Sequence, residues 1–130
     1  MGKLSRKYSG EGSLVGLVVA DGLTAGTCVA CDGSSEPLGI CVSQSLDGLC
    51  DIATQGESAF ALAGAAIAAD ASNFATVDSN GKVISFNPAT TEDAVYQLGF
   101  FVRPDGAAVA SGALVEVAIN FAHVPAVGGD

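Results

Sequence analysis

The stretch Phe74-Ala75-Thr76-Val77-Asp78-Ser79-Asn80-Gly81-Lys82-Val83-Ile84-Ser85-Phe86 decides the fold class. Two short runs rich in β-branched and aromatic residues flank an Asn-Gly pair. Such a pair is favoured where a tight reversal needs positive φ, so the stretch reads as strand, turn, strand. The same grammar extends outward. Upstream, residues 14–20 end at Asp21-Gly22, and residues 27–31 end at Asp32-Gly33. Residues 38–43 lead to Asp47-Gly48, residues 49–54 end at Gly56, and residues 58–62 follow. Downstream, residues 95–102 stop at Pro104-Asp105-Gly106, Val109-Ala110 forms a short piece, and residues 114–121 make the last strand. Short strands at this spacing predict an all-β barrel or sandwich. Only the Ala-rich stretch 60–71 is ambiguous between strand and short helix, because periodicity alone does not separate them.

Composition agrees. The chain has 130 residues, enough for one domain with a real core. It carries 17 Gly and no Trp, and it is poor in the Glu, Lys, Arg and Gln that cover exposed helices. The expected layout is an arm over residues 1–12, one β domain over 13–124 and a tail over 125–130. The chain also resembles itself. Leu38-Gly39-Ile40-Cys41-Val42 with Asp47-Gly48 recurs as Leu98-Gly99-Phe100-Phe101-Val102 with Asp105-Gly106. Cys28-Val29-Ala30-Cys31-Asp32 matches Phe74-Ala75-Thr76-Val77-Asp78. The expectation is a strand-turn-strand pseudo-repeat over about 23–62 and 67–121, with an insert near 81–94 in the second copy.

Charge limits the partners. The formal net charge is −9. Lys3, Arg6 and Lys7 lie in the first eight residues, and beyond them only Lys82 and Arg103 oppose 14 acids. An anionic body is the wrong sign for phosphate backbones and for anionic membranes, so neither nucleic acid nor membrane is an expected partner. The longest apolar run, residues 59–69, is too short to span a bilayer as a helix. Residues 1–12 show no apolar signal-peptide core, and Ser5 stands one place early for a myristoylation signal. Synthesis in a reducing cytosol is the expectation.

Chemistry-bearing groups are sparse. Cys28, Cys31, Cys41 and Cys50 fit small thiols, one or two disulfides, or a metal site, although only Cys28 and Cys31 have ligand-like spacing. His123 is the sole histidine and reads as a strand-end or interface residue. Glu92-Asp93 reads as a solvated loop, and Gly10-Glu11-Gly12 as a hinge rather than a phosphate cradle. No nucleophile elbow, P-loop or dinucleotide fingerprint is present. Neither a catalytic residue, a metal ligand nor a cofactor is expected.

The run Ala66-Ile67-Ala68-Ala69-Asp70, then Phe74 through Val83, resembles the capsid cement or head-decoration proteins of tailed bacteriophages. Leu98-Gly99-Phe100, Asp105-Gly106 and Leu114-Val115-Glu116-Val117-Ala118-Ile119 fill the following places of that pattern. Residues 86–95 and the four cysteines depart from it. The resemblance covers roughly residues 14–121. It implies a small β-barrel or β-tulip-like sandwich, often a homotrimer, that binds the major capsid protein and sister subunits on the outer capsid surface. The arm residues Lys3, Leu4, Arg6, Lys7 and Tyr8 are the candidate partner-binding residues. They would add a strand to a neighbouring sheet and pair with acidic groups on the capsid protein. Other expectations are a head-fibre base or tail module, or a small-ligand-binding β-barrel. The lack of Trp argues against sugar binding in the last of these.

Overall fold

The computed structural model describes residues 7–9, 13–18, 25–29, 39–42 and 49–127, with side chains over 25–28, 39–42 and 51–127. Ten strands run through them: β1 (Lys7–Ser9), β2 (Ser13–Val18), β3 (Cys28–Val29), β4 (Gly39–Cys41), β5 (Leu49–Ala53), β6 (Ser58–Leu62), β7 (Phe74–Val77), β8 (Val83–Ser85), β9 (Val95–Phe101) and β10 (Leu114–Val124). No helix occurs among the described residues. The stretch 60–71 continues β6 and then bends.

The strands form two antiparallel five-stranded sheets, ordered β1-β2-β5-β4-β3 and β6-β10-β9-β7-β8. Among the described residues they do not close into a barrel. Closure needs every edge strand to enter a ladder. Among the described residues β3 contributes Cys28 and Val29 to its ladder. Its neighbourhood then reaches the second sheet through isolated bonds, Leu62 N to Gly26 O at 2.9 Å and Cys28 N to Gly81 O at 2.8 Å. Within the expected arm residues 7–9 are a strand: Lys7 pairs with Val15 and Tyr8 with Leu14 in the β1–β2 ladder.

The strand orders of the two sheets share a plan. Taking β2, β3, β4 and β5 in one and β6, β7, β9 and β10 in the other, each sheet runs first, fourth, third, second. The registers of the second, third and fourth of these strands agree as well. Cys28 pairs with Ile40 as Phe74 pairs with Phe100, and Ile40 pairs with Ala53 as Phe100 pairs with Ala118. β8, the extra strand of the second sheet, falls inside the expected insert.

The core follows from period-two alternation. Ala59, Ala61 and Ala63 turn inward with Val115, Val117 and Ile119, and Ala75, Val77, Val83, Leu98 and Phe101 join them. Cys28, Ile40 and Ala53 of the first sheet belong to the same buried cluster. Turn chemistry sets the ends. Asp78 Oδ1 accepts from Asn80 N at 2.8 Å and Lys82 N at 3.0 Å, and Gly81 takes φ +78°. Gly106 N bonds Arg103 O at 2.8 Å across Pro104-Asp105, which places Pro where its fixed φ suits the turn.

Near its end β10 carries an irregularity between Ile119 and Ala122. Two glutamines satisfy the backbone freed there. Phe121 N donates to Gln55 Oε1 at 2.8 Å, and the buried Gln97 donates from Nε2 to Asn120 O at 2.9 Å. The strand therefore continues to Val124, three residues past the expected stop.

Candidate attachment surface

β6 inverts the usual side-chain pattern. Its small residues Ala59 and Ala61 face the core, whereas Phe60 points out and is 58% exposed. The alternation forces this choice, since neighbours along a strand point to opposite faces. On β10 the same side of the sheet carries Leu114, 57% exposed, and half-buried Glu116. Leu114 lies opposite Leu62 and Glu116 opposite Phe60. Val102 is exposed and its backbone N donates to Glu116 O at 2.9 Å, which places it beside the same row. Phe60 and Leu114 thus form an exposed apolar ridge on a sheet face, with Val102 on the far side of Glu116 from Phe60. Large apolar side chains exposed side by side mark an interaction site more often than a singly exposed residue does.

A groove runs along each flank of the ridge. One lies between Phe60, Leu114 and the first-sheet residues Ala25, Gly26 and Val42. The other runs between Phe60, Leu114 and the loop carrying Val102, Pro104, Asp105 and Val109, with Glu116 on its wall. The floor of the second groove is held by Arg103. Its Nε and Nη2 donate to Asn73 Oδ1 at 2.9 and 2.7 Å. Its Nη1 donates to Ala68 O and Ala107 O, both at 3.0 Å, and Nη2 also reaches Ala71 O at 3.1 Å. All five guanidinium N–H groups are taken by neutral oxygens, so the side chain staples two loops together and has no donor left for a carboxylate. No hydrogen bond or ion pair among the described residues reaches the carboxylates of Asp105 and Glu116.

The residues singled out by sequence scatter. Lys3, Leu4 and Arg6 lie outside the described residues. Lys7 and Tyr8 lie in β1, and their side chains are outside the described ones. His123 is exposed near the end of β10, with its ring 5.0 Å from Tyr96 in an edge-on contact. Glu92 and Asp93 are exposed on the loop before β9, where Thr91 Oγ1 donates to Asp93 O at 2.7 Å. Cys41 is disulfide-bonded, while Cys28 is a buried thiol. Among the described residues no three His, Cys, Asp or Glu side chains gather as a metal site would require. The ridge itself escaped sequence reading. Its one signal was Ser58-Ala59-Phe60-Ala61-Leu62, an alternation whose large members would ordinarily be placed inside.

The chain is thus an all-β protein of two open antiparallel sheets that presents an apolar ridge. No protein-family model, no curated protein and no solved structure matches it.

Proposed function

We propose that this chain is a structural protein of a tailed-phage particle, decorating and stabilising the outer capsid surface by contact with the major capsid protein and with sister subunits. The observation that carries the reading is the exposed apolar ridge of Phe60 and Leu114 on the outer face of the second sheet. Attachment through such a ridge places aromatic and aliphatic anchors at the centre of an interface and polar groups at its rim. The resemblance in residues 66–83 and 98–119 supplies the capsid as partner. A homotrimer is the assembly that this reading favours, and its mode of action is contact rather than catalysis.

The duplicated plan supports it further. The two sheets share strand order, and the registers through β3, β4 and β5 match those through β7, β9 and β10. Val102 N bonds Glu116 O as Val42 N bonds Asp51 O, both at 2.9 Å. We read the chain as two copies of one four-stranded unit, over about 13–53 and 58–124, each presenting a valine beside an acidic residue. This shifts the repeat frame expected from sequence toward the amino terminus by one strand, so that β2 opens the first copy and β6 the second.

The test is co-sedimentation with undecorated capsids. Wild-type protein is expected to pellet with the particles, and a Phe60→Ser/Leu114→Ser variant to stay in the supernatant with its circular dichroism unchanged. Equal pelleting of the two proteins would discard the ridge as the attachment surface. No pelleting of either would discard the capsid as partner.

A further inference from the structure

The groove between the ridge and the 102–109 loop is lined mostly by apolar residues and carries two acids, Glu116 on the strand side and Asp105 on the loop side. Leu114 and Glu116, two residues apart on β10, share the exposed side of the sheet. Asp105 lies across the groove, and neither it nor Glu116 has a partner among the described residues. The one cation in the lining, Arg103, has every donor committed to neutral oxygens of its own loops. An occupant that suits this groove offers an apolar side chain and, two residues on, a basic one.

The chain itself carries such a segment. Lys3-Leu4-Ser5-Arg6 belongs to an eight-residue stretch with three basic residues and no acid, whereas the rest of the chain holds two basic residues against 14 acids. In an extended segment Leu4 and Arg6 fall on one side, about 7 Å apart, which is the separation of Leu114 and Glu116 along β10. We infer that the groove receives the amino-terminal segment of a second copy of this chain. Leu4 packs against Phe60 and Leu114, and Arg6 pairs with Glu116 and Asp105. The charge division makes copies attract each other arm to body although the whole chains carry the same sign. A guanidinium between two carboxylates also gives the contact a defined register. This rests on the reading of the ridge as an attachment surface and names the partner that takes one of its flanks.

Complementation tests it. One variant lacks residues 2–6, a deletion that stops short of β1. The other keeps the arm but carries Phe60→Ser and Glu116→Lys. Light scattering coupled to gel filtration is run on each variant, on wild type and on an equimolar mixture of the two variants. Wild type is expected to self-associate, and each variant alone to do so on the order of tenfold more weakly or worse. The mixture is expected to regain complexes, because each variant supplies what the other lacks. A charge exchange, Arg6→Glu with Glu116→Lys in one chain, is expected to recover most of the association. A wild-type protein monomeric at every concentration overturns the inference. So does a deletion variant that associates like wild type, or a mixture that recovers nothing. Capsid co-sedimentation by a monomeric wild type would sink this inference alone and leave the attachment reading standing.

Discussion

Arg103 shows how a single side chain does structural work that charge counting would miss. In a body this acidic an arginine is expected to seek a carboxylate, yet its five donors end on three backbone carbonyls and Asn73. The planar fork spans acceptors from residues 68–73 and from residue 107 at once, which a lysine ammonium does not. Much of this site is open to water, and the released carbonyls would find solvent, so the loss is modest. Arg103→Lys is expected to cost about 1–2 kcal/mol, read as a lowered urea midpoint with unchanged slope. An unchanged midpoint would make the staple decorative. Cys41 carries a second prediction. It is fully buried and disulfide-bonded. Reduction under native conditions is expected to lower stability by about 2–4 kcal/mol, and Cys41→Ser to remove that sensitivity to reductant. A wild-type protein indifferent to reductant would show that the bond constrains nothing.

Strand pairing explains which parts of the fold the sequence disclosed. β4 and β9 each place a glycine against a neighbouring alanine carbonyl: a Cβ on Gly39 would strike Ala53 O, and one on Gly99 would strike Ala118 O. These are the glycines that the self-comparison aligned, and the two carbonyls belong to the corresponding strands β5 and β10. Gly39→Ala and Gly99→Ala are therefore each expected to destabilise by about 1–3 kcal/mol through overpacking against backbone that has no room to yield. Equal thermal stability of either variant and wild type would contradict the close approach. Turn pairs such as Asn80-Gly81 and Asp105-Gly106 and the β-branched runs beside them made most strands legible, because local chemistry specifies them. β1 was not legible, since Lys7-Tyr8-Ser9 is polar and becomes a strand only by pairing with β2. Nor was the extension of β10 to Val124, which depends on Gln55 and Gln97 reaching it from distant positions. The ridge stayed hidden for a third reason. Period two states that Phe60 and Ala61 face opposite ways, but only packing against the rest of the core decides which of them is buried.

At the scale of the molecule the question is whether two sheets built on one plan behave as one body. The buried cluster says they do. Cys28, Ile40 and Ala53 pack in the same group as the inward residues of the second sheet. Gly26 and Cys28 bond directly to Leu62 and Gly81. Neither sheet can lose its structure without exposing the apolar surface of the other, and such coupling yields a single cooperative transition. The composition provides a clean reporter for each sheet. There is no Trp, and the two Tyr divide between the sheets, Tyr8 in β1 and Tyr96 in β9. Tyr8→Phe leaves fluorescence that follows the second sheet, and Tyr96→Phe leaves fluorescence that follows the first. Each variant's curve is expected to coincide with its own circular dichroism transition in urea. A tyrosine signal that moves well before the dichroism in either variant would mean that the sheets unfold separately. The two sheets would then be neighbours in one chain rather than halves of one core.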